Sequence, residues 1–166
     1  NTFGDLTKKI NQDSVLSIAN EASNNGVGKF IFASSCSVYG SSGQKARNEN
    51  DEVNPLTAYA NSKINVEKQL SNINSNMKRI CLRFATACGW SPNIRLDLVL
   101  NDFVASALFN GKIEILSDGS PLRPLIDVRD MANAINWAVN YEQEQDNLVL
   151  NTGCNEWNFT VLQLAE

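Results

Sequence analysis

Two short runs, Lys29-Phe30-Ile31-Phe32-Ala33 and Arg79-Ile80-Cys81-Leu82-Arg83-Phe84, constrain this chain more than any other feature. The first is apolar and aromatic, follows turn signals at Gly26 and Gly28, and reads as a strand buried on both faces; the second makes the next strand. A helical stretch precedes each. From about Thr7 to Asn24, Val15, Ile18, Ala19 and Ala22 recur at i, i+3, i+4 and i+7 and Asn25-Gly26 closes the run. After a polar loop from Gly40 to Asn54, Pro55 and Thr57 open a second helix that reaches about Leu70. This α-β-α-β order with short links predicts an α/β fold with a parallel sheet, and ligands bind at the carboxyl ends of such strands.

The texture changes beyond Gly89. A polar loop leads to a helix from about Asp97 to Asn110, stopped by Gly111, then a strand over Lys112–Leu116 and a turn at Asp118-Gly119. Asp130 is expected to cap a helix carrying Met131, Ala134, Ile135 and Ala138 on one face. Asn147–Asn151 reads as a further strand, and Thr160-Val161-Leu162-Gln163 as a capping box opening a last helix.

Composition excludes several functions. The 166 residues are 43% hydrophobic and 19% charged, which is ordinary for one globular domain. A net charge of -4, with basic residues scattered singly, offers no stripe for nucleic acid. Cys36, Cys81, Cys88 and Cys154 form no C-x-x-C pair and histidine is absent, so no metal site is expected and the thiols read as free, in a reducing compartment. No run approaches the roughly 20 apolar residues of a membrane span. No membrane partner and a cytoplasmic location are therefore expected.

The chemistry concentrates in the second helix. Tyr59 and Lys63 stand at i and i+4, one turn apart on one face. A lysine charge near 4 Å is worth roughly 4 kcal/mol at an effective dielectric of 20, enough to lower a phenol's pKa by up to about three units. By itself this spacing also describes a solvated surface pair. The strand end some two dozen residues upstream, Ser34-Ser35-Cys36-Ser37, adds hydroxyls able to face the same substrate oxygen.

Serine, tyrosine and lysine in this order, on a strand-loop-helix frame, resemble the extended short-chain dehydrogenase/reductase family and its nucleotide-sugar epimerases and dehydratases. "GVGKFIFASSCSVYG" is similar to the family's serine strand, "NPLTAYANSK" to its tyrosine-lysine helix and "LRFATACG" to the following strand and nicotinamide-side loop. "RLDLVLNDFV" and "LRPLIDVRDMA" are similar to its substrate half. The resemblance implies the C-terminal half of a Rossmann-type doubly wound parallel sheet over residues 1–88, followed by part of a small α/β substrate-binding region over residues 89–166. Ser35, Tyr59 and Lys63 would be catalytic. Asn11, Ser34, Tyr59, Lys63, Phe84 and Ala85 would meet NAD, with NADP left open. Ser35, Ser37, Thr86, Asn101 and Arg123 would meet a nucleotide-diphosphate sugar, Arg123 gripping the phosphates. Trp90, Trp137 and Trp157 read as packing. The resemblance also implies a homodimer for the whole protein.

Two departures from the family pattern matter. Its dehydratases carry an acidic pair directly after the catalytic serine or threonine, and here those positions hold Cys36 and Ser37. An epimerase or reductase is therefore expected ahead of a 4,6-dehydratase. No G-x-x-G-x-x-G run, which would cradle a dinucleotide pyrophosphate, occurs in the sequence. The resemblance thus implies an internal part of a protein about twice as long, unable to bind NAD well or act alone, with two open sheet edges. The alternatives are a non-catalytic dinucleotide-binding sensor or assembly protein, and a small-carbonyl reductase of the same family.

Overall fold

The computed structural model describes residues 2–41 and 45–166; residues 42–44 of the expected polar loop lie outside the described residues. The first helix starts at Thr2 rather than Thr7, because α1 (Thr2–Lys8) continues through one π-helical turn (Lys9–Asp13) into α2 (Ser14–Asn24). Beside that wide turn Ser14 Oγ donates to the Ile10 carbonyl at 2.6 Å, a local bond that competes with the helix ladder. Gly26, at φ 73°, turns the chain toward β1 (Lys29–Ser35).

A short 3-10 turn (Cys36–Tyr39) follows β1 and ends at Gly40, φ 67°. A Cβ at Gly40 would lie 2.0 Å from the Asn54 carbonyl oxygen, so only glycine lets the two ends of the polar loop close there. Thr57 Oγ1 accepts from Ala60 N at 3.1 Å and starts α3 (Ala58–Ser71), which leads to β2 (Lys78–Phe84). β3 (Thr86–Cys88), α4 (Val99–Asn110), β4 (Leu122–Asp127), α5 (Val128–Asn140), β5 (Asn147–Thr152), β6 (Asn158–Thr160) and α6 (Val161–Ala165) complete the order.

The first sheet runs β1-β2-β5, all parallel, with Ser34 opposite Arg83 and Arg83 opposite Asn151. β2 is central and buried at every residue after Lys78, the near-continuous apolar run of a strand covered on both faces. One face packs Phe32, Cys81, Val66 and Leu70 with Ala19 of α2; the other packs Ile80, Leu82 and Phe84 with Ala138 of α5. Ile80 and Leu82, essentially removed from water, contribute about 1.5–3 kcal/mol each. Among the described residues β1 and β5 are the open edges. The fold is α/β with a parallel sheet.

A second sheet, β3-β4-β6, pairs β3 with β4 in parallel and β4 with β6 antiparallel. It begins one residue after β2, where Ala85 N donates to Thr152 O at 2.9 Å. The strand expected over Lys112–Leu116 is absent: the segment is irregular and Leu116 is 94% exposed, since no neighbouring strand pairs with it. The cap of α5 is Asp127, not Asp130, because Asp127 Oδ1 accepts from Arg129 N at 2.8 Å while Asp130 lies inside the first turn. The Thr160–Gln163 capping box is present in both directions. No helix among the described residues is long and apolar enough to cross a membrane.

Candidate active site

Ser35 closes β1 at the carboxyl edge of the sheet, where the backbone turns into the 3-10 segment and Ser35 Oγ accepts from Ser37 N at 3.2 Å. The same hydroxyl lies close enough to the phenol of Tyr59, in the first turn of α3, to favour its ionised form. One turn on, Lys63 Nζ donates to the Ala33 carbonyl at 2.8 Å and sits 4.8 Å from the Phe32 ring centre and 5.3 Å from that of Tyr59. The fold therefore brings Ser35, Tyr59 and Lys63 to one strand end. An ammonium has three protons to give, and the bond to Ala33 uses one.

The electrostatics differ from the sequence expectation. Burial pushes the Tyr59 phenol up, the Ser35 hydrogen bond and the Arg95 charge pull it down, the Cys36 thiol adds to the rise, and the net shift is upward. Lys63 is itself drawn down by burial, and its ammonium lies over ring faces rather than at the phenol oxygen. Desolvation thus sets the net direction. Burial also raises the Cys36 thiol, against a lowering influence from the Arg123 guanidinium. Arg123, in β4 of the second sheet, therefore acts electrically on the residue next to Ser35.

The remaining candidates fall in different places. Ser37 Oγ is buried with no hydrogen-bond partner among the described residues, so a ligand group would satisfy it. Ser34 is not at the site surface: its hydroxyl donates to Glu67 in the interior. Asn11 is half-buried within the π-helical turn, beside Gln12, which accepts from Asn65 of α3 at 3.2 Å. Phe84 is packed into the core and Ala85 is buried at the crossing to the second sheet, where a Cβ on Gly153 would come within 3.0 Å of its own. Thr86 is half-buried in β3, level with Leu125. Asn101 is committed to its own loop, accepting from Gly89 N at 3.2 Å and donating to Arg95 O at 3.0 Å. Arg123 is exposed, with Nη1 on the Leu122 carbonyl at 3.0 Å.

Sequence reasoning missed two sets of residues. Arg95, paired with Asp97 at 2.6 Å, lies near enough to favour the Tyr59 phenolate. Behind the site, Glu67 and Arg83 form a buried ion pair, exposed at only 4% and 6% of their side chains, with Arg83 Nη2 at 2.7 Å from Glu67 Oε2. Arg83 Nη1 also donates to Tyr39 Oη at 2.7 Å, and Tyr39 Oη donates to Asn151 Oδ1 at 2.7 Å. Removing one partner of such a pair typically costs about 3–5 kcal/mol, because the other charge stays buried alone. The signal available was a pair of arginines, Arg79 and Arg83, flanking the apolar centre of a buried strand, with a glutamate four residues beyond Lys63.

A parallel sheet flanked by helices, with a serine, a tyrosine and a lysine gathered at a strand's carboxyl end, defines a Rossmann-type α/β protein. The model of the NAD dependent epimerase/dehydratase family matches residues 2–153, and the chain belongs to that family. A curated relative, the UDP-glucose 4-epimerase of Halalkalibacterium halodurans, is 29% identical over 125 residues, covering 65% of this chain and 37% of the relative. The UDP-glucose 4-epimerase of Thermotoga maritima, solved with UDP-glucose, is 25% identical with a TM-score of 0.80 over 95% of this chain and 52% of its own. An NAD-dependent NDP-hexosamine 5,6-dehydratase of tunicamycin biosynthesis shares the fold at 22% identity and TM-score 0.80, over 91% of this chain and 49% of its own. The chain thus spans about half the length of these structures. Epimerases and a dehydratase both stand among the similar proteins.

The family's cofactor is NAD, and the residues present fit its reactive end. The spare protons of Lys63, held over the Tyr59 ring at the strand end, are suited to ribose hydroxyls.

Proposed function

We propose that the whole protein is an NAD-dependent nucleotide-sugar epimerase or a closely related oxidoreductase, with Tyr59 as base, Ser35 as hydrogen-bond donor to the reacting oxygen and Lys63 as the cation that holds phenolate and cofactor ribose. The observation that carries this reading is the gathering of the Ser35 hydroxyl, the Tyr59 phenol and the Lys63 ammonium at the carboxyl end of β1, with Lys63 Nζ on the Ala33 carbonyl and 5.3 Å from the Tyr59 ring centre. Two hydroxyls placed side by side can both reach one substrate oxygen.

In the forward step Tyr59, as phenolate, takes the proton of a sugar hydroxyl while Ser35 donates to the same oxygen as it becomes a carbonyl. NAD, held by Lys63 and Tyr59, would supply the acceptor for the hydride of that carbon. Arg95 is the chain's own cation favouring phenolate, against burial and the Cys36 thiol. In the return step Tyr59 gives its proton back to the same oxygen, with Ser35 still bonded to it. Cys36 and Ser37 stand where a dehydratase needs carboxyl groups, which supports epimerisation or reduction over water loss.

Arg123, in the second sheet, is read as the diphosphate contact, a planar guanidinium being suited to bidentate phosphate binding. Its influence on Cys36 supports a ligand lying between the two sheets, and the UDP-glucose in the Thermotoga maritima structure supports a UDP-sugar as the first substrate to try. The test is to incubate the whole protein with NAD and UDP-glucose or UDP-galactose and follow interconversion by chromatography. Conversion of one into the other is expected; water loss to a deoxy-keto sugar would favour the dehydratase reading.

A further inference from the structure

Three consecutive residues of β1 are each tied to one of three residues of α3 spaced four apart. Ser35 meets Tyr59, the Ala33 carbonyl accepts from Lys63, and the Ser34 hydroxyl donates to Glu67. The first two contacts belong to the candidate chemistry. The third does not, and it is the one anchored to the rest of the molecule. Glu67 receives Arg83 at 3.1, 3.2 and 2.7 Å from Nε and Nη2, and Arg83 lies one residue before Phe84. Arg83 continues to Tyr39, whose ring lies 5.0 Å from its guanidinium carbon and which ends the 3-10 turn containing Ser37. Tyr39 continues to Asn151, and Asn151 holds the loop at Arg47 O and Glu49 Oε1, at 3.0 and 2.6 Å.

Every member of this row but Asn151 therefore lies within two residues, or one helical turn, of a candidate site residue. An apolar pair of the same volume would fill the space at no loss, and often at a gain, of stability. What a carboxylate and guanidinium add is direction: fixed bonds that set how far α3 slides along β1. A slide of 1 Å between Ser35 and Tyr59 is the kind of misplacement that costs about a hundredfold in rate.

We propose that the buried row Ser34–Glu67–Arg83–Tyr39–Asn151 sets the register of α3 on β1, making Glu67 and Arg83 positioning residues for the Ser35–Tyr59 pair. The proposal rests on the function read above only for its rate consequence. The groups facing Tyr59 are Ser35, Cys36, Lys63 and Arg95; those facing Glu67 are Ser34, Arg83 and Cys81. None of the row touches the phenol directly, so an effect on it has to travel through the position of Ser35.

The test compares the whole protein with its Glu67→Leu/Arg83→Met double variant and with Tyr39→Phe. Tyr59 is titrated by tyrosinate absorbance, with Tyr59→Phe as the blank, and kcat and KM are measured with UDP-glucose. The double variant is expected to fold, to lose about 10- to 100-fold in kcat with KM within about twofold, and to titrate at Tyr59 about half a unit higher. Tyr39→Phe should move both readouts the same way by less, and decides the matter if the double variant fails to fold. Unchanged kcat and an unmoved Tyr59 titration would overturn the proposal and leave the row a packing element. Should the parent protein transfer no hydride, the function read above fails, and the Tyr59 titration alone still decides the positioning role.

Discussion

Ser35→Ala tests the electrostatics of the site most finely. Burial raises the Tyr59 phenol and the Ser35 hydroxyl is the first influence that opposes it. A hydrogen bond from such a hydroxyl to the phenolate is worth about 0.5–1.5 kcal/mol net. Tyr59 is 42% exposed, so water replaces part of what is lost and the lower end, about 0.5–1 kcal/mol, is the relevant one. At 1.36 kcal/mol per unit this lifts the Tyr59 titration by roughly 0.4–0.7 unit. The sign follows from the bond's preference for phenolate: without it the proton is held to higher pH. The assay is the alkaline absorbance titration of the whole protein without substrate, Tyr59→Phe identifying its share of the tyrosinate signal. Below the titration the phenolate fraction falls about three- to fivefold, while loss of the donor to the forming carbonyl costs a further 10²–10³-fold in kcat. A Tyr59 titration that stays put or moves down in Ser35→Ala would refute the reasoning.

Gly40→Ala forces a side chain into a φ of 67° and a Cβ within 2.0 Å of the Asn54 carbonyl, so urea unfolding should show a loss of more than about 2 kcal/mol. Arg123→Leu should weaken UDP-sugar binding about ten- to a hundredfold, the equivalent of roughly 1.5–3 kcal/mol, while NAD affinity measured by the same calorimetry stays put. Because the folded Tyr59 holds its proton more tightly than the unfolded chain, its contribution to stability is full below the unfolded pKa and is lost as pH rises through the folded one. Tyr59→Phe should therefore flatten the alkaline end of a thermal-midpoint profile, and an unaltered profile would contradict that linkage.

The site's polar spacing was readable in the sequence because helix periodicity is rigid: a step of four positions from Tyr59 to Lys63 leaves one geometry, and Thr160 to Gln163 leaves one cap. What periodicity does not carry is tertiary pairing. Lys112–Leu116 has a strand's composition but no strand beside it, whereas three residues at Thr86–Cys88 become a strand because Leu125–Asp127 lie alongside. Asp127 and Asp130 are both chemically able to cap α5, and the exit of β4 selects the first. The same limit hid the buried ion pair. A glutamate one turn past Lys63 reads as part of a solvated face until Arg83 is found opposite it across the sheet. The expected lowering of Tyr59 by Lys63 failed for a related reason, since the strand carbonyl of Ala33 claims the ammonium and burial sets the net sign.

The central claim is that Tyr59 moves the proton while hydride leaves the same carbon. Its most direct test is single-turnover formation of reduced nicotinamide by the whole protein mixed with UDP-sugar, compared with Tyr59→Phe. The phenylalanine variant keeps the ring over which Lys63 sits and loses only the hydroxyl. The account predicts unchanged sugar binding and a rate lower by about 10²–10⁴-fold, the usual contribution of a positioned base. A Tyr59→Phe rate within a few-fold of the parent would contradict it.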